Sequence, residues 1–325
     1  MKPLLAALLL AASLRAGDVN TFSIVAYDAA AADWGVAVAS RYFSVGAVVP
    51  WAEAGVGAIA TQADVNVGYG PRGLELLRQG LSAQAVLDKL RAEDQFPGKE
   101  GRQVAIIDRN GTIAAFTGPS APAWAGGRQG KTWSAQGNIL VGPQVVEAMG
   151  QAFESTNGEL AEKLYAALKA GDDAGGDSRG KQSASMLVVR KGGGRNTNND
   201  RYLYLNVDDN PQPLPELRRL LNINLGLLYQ QRAGVLSRGA KPREARDAAR
   251  KVTQYMPNAA AYATLGALDY QLNEKAAALA DLRQALQLDP NLRRQIETAP
   301  NDTSLRPIAE DKEFLRQLFA NPSAR

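Results

Sequence analysis

Thr21-Phe22-Ser23-Ile24-Val25-Ala26-Tyr27, followed after the turn-forming residues 28–33 by Trp34-Gly35-Val36-Ala37-Val38-Ala39-Ser40, is the stretch that decides the fold. Both runs alternate with a period of two and are rich in β-branched and aromatic residues. They read as the two arms of an antiparallel hairpin. Outward from it, residues 46–49 and 55–61 read as further strands, with glycines marking bends or close packing. Helical spacing then takes over at Leu74, Leu76 and Leu77, and again at Leu81, Ala85, Val86 and Leu90, with Ser82 as a cap. Residues 103–108 and 112–116, joined by Arg109-Asn110-Gly111, form a second hairpin, because Asn-Gly suits a tight primed turn. Residues 145–153 and 160–168 are amphipathic helices, and 185–190 and 202–207 are strands. Helices gathered in two blocks between antiparallel strands predict an α+β layered domain and not a βαβ wrap.

Composition narrows the chemistry. The 325 residues contain no histidine and no cysteine. That excludes a Ser-His-Asp triad, an imidazole base, a thiolate nucleophile, disulfides and Cys/His zinc sites. With 45% hydrophobic and 22% charged residues the chain is globular. Residues 1–222 carry 22 basic and 22 acidic side chains, so the net +4 arises entirely beyond them. Charges of both signs alternate along helical patterns there, which is a solvated face and not a nucleic-acid surface. No Gly-x-Gly-x-x-Gly opens a helix and no Walker loop occurs, so no nucleotide cofactor is expected, and Gly192-Gly193-Gly194 reads as a turn. The pairs Asp172-Asp173 and Asp208-Asp209 are neighbours in loops and do not form a positioned acid/base couple or a spaced calcium loop.

The two ends differ from the middle. Met1-Lys2-Pro3 leads into an apolar run, Leu4 to Ala12, too short to span a membrane and followed by small residues. This reads as a signal peptide over residues 1–16, cleaved after Ser13 or Ala16, and a periplasmic or secreted protein that is not membrane-spanning is expected. Beyond the polar, proline-containing residues 208–213 the pattern becomes wholly helical. Tyr229 and Tyr262, Ala245 and Ala278, and Pro257 and Pro290 are each 33 apart. That period, with small residues where helices cross, resembles the tetratricopeptide repeat. The expected domains are therefore a sandwich over 21–210, a linker and helix start over 211–222, and a tetratricopeptide-like module over 223–325.

An enzyme without histidine or cysteine can still carry out acyl transfer if an N-terminal serine or threonine uses its own α-amine as base, which directs attention to Thr21. The motifs around it resemble a known family. Thr21 to Ala26, Gly35 to Arg41, Val45-Gly46 to Val49-Pro50-Trp51-Ala52, Ala60-Thr61-Gln62-Ala63, Tyr69-Gly70-Pro71-Arg72-Gly73, Gln136-Gly137-Asn138-Ile139-Leu140 and Gly175 to Ala184 are similar, in order, to the domain-of-unknown-function-1028 family. The resemblance spans about residues 21–222. It implies the Ntn-hydrolase superfamily, whose fold is a four-layer α-β-β-α sandwich with a nucleophile at the start of its first strand, and hydrolysis of an amide through an acyl-enzyme.

Carried onto this sequence, the resemblance implies Thr21 as nucleophile, exposed by cleavage of Asn20-Thr21. Gly137 and Asn138 become oxyanion donors, Arg41 orients the substrate, and Asp177 with Ser183 holds the amine and its proton network. Ser40, Gln62, Arg72, Gln136, Arg179 and Gln182 fall to substrate binding. Ala39 stands where the proteasome-like branch carries an acidic residue, and Trp51 and Ala52 stand where it carries a lysine, so a relay of that type is not expected. No cofactor or metal is implied. The expected partner is a small-molecule or peptide acyl substrate, with a protein captured by the helical module and a homo-oligomer as further expectations. The alternative is a non-catalytic exported scaffold whose helical module captures a protein or cell-wall material.

Overall fold

The computed structural model describes residues 18–19, 21–298 and 305–320. The expected signal peptide and Asn20 lie outside the described residues. The chain divides into two compact units, Met1–Arg218 and Arg219–Arg325.

In the first unit the strands are β1 (Asp18–Val19), β2 (Thr21–Asp28), β3 (Asp33–Ser40), β4 (Pro50–Glu53), β5 (Gly57–Asp64), β6 (Arg102–Asp108), β7 (Ile113–Thr117), β8 (Gly126–Gln129), β9 (Trp133–Gly137), β10 (Ser183–Val189) and β11 (Arg201–Val207). They form two antiparallel sheets. One runs β1-β5-β6-β7, with β4 also on β5; the other runs β11-β10-β3-β2-β9-β8. The first hairpin pairs Thr21 with Ser40 through to Asp28 with Asp33. Alternation then sends Val25, Trp34, Val36, Val38, Leu187 and Val189 inward against Ala58, Ala60, Ala105 and Ile107 of the other sheet.

The outer faces take the helices. α1 (Tyr69–Arg78) and α2 (Ala83–Glu93) cover the five-stranded sheet, with Leu74, Leu77, Val86 and Leu90 on Ile59, Val104 and Ile106. Ser82 caps α2, accepting the Ala85 N–H at 3.3 Å. α3 (Gln144–Ser155) and α4 (Leu160–Asp173) pack on the six-stranded sheet. Gly35 sits where an added Cβ would meet Leu164 and Leu160, so the absence of a side chain lets α4 approach.

Three local expectations need correction. Residues 46–49 are not a strand, because Val45–Ala47 is a single 3₁₀ turn and the strand begins at Pro50. The β6–β7 connection is not a two-residue primed turn. Only Gly111 takes positive φ, at 80°, and the Asp108 carboxylate closes the loop by accepting the Asn110 and Thr112 N–H groups. Strand β9, which is not among the strands read from the sequence, pairs residues 133–137 with Phe22 to Ala26 beside the first hairpin.

The second unit is helical. α5 (Pro213–Arg238) contains the division between the units and is followed by α6 (Pro242–Tyr255), α7 (Ala259–Gln271), α8 (Lys275–Leu288), α9 (Leu292–Thr298), α10 (Arg306–Glu310) and α11 (Lys312–Phe319). α6 and α8 begin 33 residues apart, and Ala245 and Ala278 are both fully buried. Gly266 of α7 faces α8 so closely that a Cβ would lie 2.8 Å from Leu282 Cγ. Among the described residues no helix is long and apolar enough to cross a membrane.

Inside this unit Asp269 is fully buried and its two carboxylate oxygens have no hydrogen-bond partner among the described residues, with Arg246 Nη1 at 3.7 Å from Oδ1. Burial, followed by the facing carboxyl of Asp269, pushes Asp281 up to about 6, against the opposing pull of Arg250; Arg246 itself is held by Glu274 at 2.8 Å. The folded state therefore binds a proton that the unfolded chain, with its ordinary carboxyl, releases at lower pH. The stabilisation is fully present below about 4 and is lost as pH rises through about 6. Thermal unfolding of the full chain followed by circular dichroism is expected to show the midpoint falling across that interval, with a flatter dependence in Asp281→Asn. Superimposable pH profiles for the two proteins refute this.

Candidate functional site

At one end of the sandwich the inward positions change from apolar to polar. Along β2, Val25 gives way to Ser23 and Thr21; along β3, Val38 to Ser40; along β10, Leu187 to Ser185 and Ser183. Across the gap, Ala60 gives way to Gln62 on β5 and Ala105 to Gln103 on β6. On β9, Gln136 lies opposite Ser23. Thr21, Ser40 and Ser183 occupy one rung across three strands, and all three are buried. The Thr21 hydroxyl donates to Ser40 Oγ at 3.1 Å. Ser183 donates to the Tyr42 carbonyl at 2.5 Å and accepts the Val45 N–H at 3.2 Å.

Four amides join the sheets, and the polarity of the whole array follows from the backbone groups it meets. Carbonyl oxygens only accept. Gln103 faces the carbonyls of Gly137 at 2.9 Å and Gly126 at 3.3 Å, so the group turned there is Nε2, which also donates to Thr117 Oγ1 at 3.0 Å. Its Oε1 must then accept, and it receives Gln62 Nε2 at 2.8 Å and Asn138 Nδ2 at 3.1 Å. Gln62 Nε2 also reaches the Thr21 carbonyl at 3.2 Å, which leaves its Oε1 to accept the Ser23 hydroxyl at 2.6 Å. Ser23 accepts Gln136 Nε2 at 2.6 Å, and Ser134 donates to Gln136 Oε1 at 3.2 Å. The Asn138 N–H donates to the Thr21 carbonyl at 3.0 Å. One atom is left over: Asn138 Oδ1 is buried with no hydrogen-bond partner among the described residues.

Polar residues at the strand mouth form a second group. Asp177 accepts the Arg41 N–H at 3.0 Å and pairs with Arg179 at 2.7 Å, while Arg41 Nη1 reaches the Arg179 carbonyl at 2.7 Å. The Gln182 N–H donates to the Ser40 carbonyl, and its side chain to Asp209 Oδ1 at 3.2 Å. A cleft lined by Phe22, Ser40, Gly175 and Asp177 opens beside them, with about 10 Å³ of space, enough for roughly one water.

Of the residues expected at the site, Thr21, Ser40, Gln62, Gln136, Gly137, Asn138 and Ser183 come together between the sheets, and Arg41, Asp177, Arg179 and Gln182 gather at the mouth. Arg72 does not join them. It lies on α1, outside the five-stranded sheet, paired with Glu93 at 3.1 Å and Glu75 at 2.8 Å, and these carboxylates push its pKa up. Roles also shift. The amide nitrogen and backbone N–H of Asn138, expected to serve an oxyanion, are already engaged, as is the amide nitrogen of Gln136, expected to bind substrate. Asp177 and Ser183, expected to hold the amine, are committed to Arg41 with Arg179 and to Tyr42 with Val45.

Gln103, Ser23 and Ser134 were not singled out in the sequence, although a glutamine in the apolar run Val104 to Ile107 and the shared parity of Thr21 and Ser23 carried the signal. Among the described residues no group of three or more histidine, cysteine, aspartate or glutamate side chains is gathered to hold a metal ion.

A model described as a family of unknown function, DUF1028, matches residues 21–217. The chain belongs to the DUF1028 family. A crystal structure of protein SPO2555 from Silicibacter pomeroyi, also assigned to DUF1028, is 30% identical, with a TM-score of 0.56 over 62% of this chain and 88% of that one. No curated protein matches. The DUF1028 match contains both the amide array and the residues at the mouth.

The array makes a distinctive stability prediction. Gln103→Leu strands two buried carbonyls and the amides of Gln62 and Asn138, and is expected to cost about 2–4 kcal/mol. Ile107→Val, in the apolar half of the same interface, is expected to cost about 0.5–1.5 kcal/mol. Urea unfolding of both variants checks the ranking, and equal costs would show that apolar packing alone joins the sheets.

Proposed function

We propose that this protein is an N-terminal-nucleophile hydrolase of an amide or related acyl bond, with Thr21, freed from Asn20, as nucleophile. The observation that carries the reading is the way Thr21 is held. It begins a central strand, its hydroxyl sits in a row of hydroxyls, and its carbonyl is fixed from both sheets by Asn138 N–H and Gln62 Nε2. In a chain without histidine or cysteine the base available to such a hydroxyl is its own α-amine. The amine takes the hydroxyl proton as oxygen attacks the acyl carbon, and the proton passes to the leaving amine as the acyl bond breaks. Water then hydrolyses the ester and restores Thr21.

Support comes from three further features. Helix pairs flank two antiparallel sheets in the order of an Ntn-type α-β-β-α sandwich. The family match starts at Thr21. Thr21 is fully buried and is preceded by β1, which pairs with Ala63 and Asp64 of the neighbouring sheet, and removal of the leader would create the amine at this buried position. Maturation of this kind fits export to the periplasm or beyond, with the net positive charge that Arg41 adds to the Asp177–Arg179 pair at the mouth suited to an acyl substrate bearing negative charge.

A second reading rests on the helical unit. A groove of about 400 Å³, lined among others by Ala233, Val252, Met256, Ala261 and Leu268, runs between α5, α6 and α7. It supports a tetratricopeptide-like module that binds an extended peptide, with the sandwich as scaffold.

Intact mass and N-terminal sequencing of protein from the exported fraction are expected to give a chain beginning at Thr21. In that chain Thr21→Ala should reduce hydrolysis and covalent labelling by an activated ester at least about 10³-fold without loss of the fold. A mature chain with Asn20-Thr21 intact, and labelling unchanged in Thr21→Ala, would leave the scaffold reading.

A further inference from the structure

The leftover acceptor at Asn138 deepens the reading of Thr21 as nucleophile and rests on it. Its orientation is a consequence of connectivity. The carbonyls of Gly137 and Gly126 require Gln103 to present Nε2 to them, Gln103 Oε1 therefore requires a donor, and Asn138 supplies Nδ2. Rotating the Asn138 amide would set two carbonyl oxygens against each other. Asn138 Oδ1 is thus fixed as an acceptor, fully buried and unpaired. A buried acceptor without a donor costs about 1–3 kcal/mol, so the arrangement points to a donor that the unprocessed chain lacks.

The register says where that donor would arise. Phe22 lies opposite Gly137, and one step on the Asn138 N–H bonds to the Thr21 carbonyl, so Asn138 stands opposite Thr21. Directly opposed residues of an antiparallel pair project to the same face with Cβ atoms about 4.5–5.5 Å apart. Cleavage of the Asn20-Thr21 bond consumes one water and yields a carboxylate on Asn20 and an amine on Thr21. The amine then carries hydrogens that the amide nitrogen did not, on the residue that Asn138 stands opposite.

We infer that Asn138 Oδ1 receives the α-amine of processed Thr21, with Gln103 as the residue that holds it in the accepting orientation. This is the reverse of a role as oxyanion donor, because a carbonyl oxygen would repel an oxyanion. Fixing the amine by one of its hydrogens points its lone pair along a set direction, and the row of Thr21, Ser40 and Ser183 hydroxyls places the proton to be taken on the same face. Asn138 is a positioning residue: it touches the base, and the hydroxyl does the bond making.

The test reads the amine itself. Chains with Thr21 as first residue and everything after it intact are prepared with ¹⁵N-threonine, and the α-amine is titrated by NMR, its ordinary pKa being about 7.7–8.0. A carbonyl acceptor favours ammonium and a carboxylate favours it more. Asn138→Leu is therefore expected to lower the amine pKa relative to wild type by about one unit, and the near-isosteric Asn138→Asp to raise it by about one unit or more. Asn138→Asp serves alone should the leucine variant fail to fold. An amine pKa the same in wild type and Asn138→Asp, with both folded, overturns the inference. Labelling of wild type by an activated aryl ester keeps the two readings apart. Shifted pKa values without an adduct on Thr21 would uphold the Asn138 contact and defeat the nucleophile, and an adduct with unmoved pKa values would do the opposite.

Discussion

The carbonyl oxygen of Thr21 accepts two hydrogen bonds, one from the backbone of Asn138 in its own sheet and one from the side chain of Gln62 in the facing sheet. Most of what is particular to the first unit depends on that double anchor. The first bond fixes the register of β2 against β9, and a slip of one residue would turn Thr21 and Ser23 outward and Phe22 inward. The second ties the register of one sheet to that of the other, which apolar packing alone does weakly because it is non-directional. At the far end, where Val25 and Val36 meet Ala58 and Ile107, apolar packing is joined by a hydrogen bond from Trp34 Nε1 to the Asp108 carbonyl at 3.1 Å. At the near end the hydrogen-bonded amides set the sheets to a single relative position.

The backbone bends at the two anchors. Ala63 and Ile139, the residues directly after Gln62 and Asn138, both take left-handed conformations, with φ of 66° and 49°. Neither is glycine, and a β-branched residue pays a steric penalty there, of order 1–3 kcal/mol. Ala63 stays in the ladder opposite Arg102, whereas at Ile139 the chain leaves it. Ile139 and Leu140 give their N–H groups to the carbonyls of Pro122 and Trp124, and Ala63 faces Val19. The hydrogen bonds of the array are sufficient to offset strain of that size.

Much of this was legible in the sequence. Period-two alternation gave the first hairpin and β10, Ser82 gave the start of α2, and the motifs around Thr21 indicated the family. What escaped was local conformation overruled by a side chain, as where the Asp108 carboxylate closes a loop that Asn110-Gly111 would otherwise close as a two-residue turn. Residue roles escaped for another reason. That Gln136 and Asn138 belong near Thr21 follows from motif order. Which atom of each amide faces which neighbour depends on Gln103, 33 positions upstream of Gln136, and on carbonyls whose direction only the folded backbone defines. Arg72 was drawn in because its motif is contiguous with others of the site, yet its helix lies on the outer face of the sheet, where its charge is taken up by Glu75 and Glu93.

The array is built without an ionisable side chain. Ser23, Gln62, Gln103, Ser134, Gln136 and Asn138 are all neutral, and each is buried in the interior. A charged network in the same space would carry a desolvation penalty of several kcal/mol per ion and would itself titrate. Amides have no such ionisation, so the polarity they impose is the same at every pH at which the protein folds. At the mouth Asp177 forms an ion pair with Arg179, and the Arg41 guanidinium donates to the Arg179 backbone carbonyl. An amine introduced into that setting would bring an ionisable group to a row of neutral hydroxyls. Its protonation would then be governed by dipoles whose directions are locked by backbone carbonyls, so the tuning usually divided among a base, its orienting partner and solvent falls here to the fold itself.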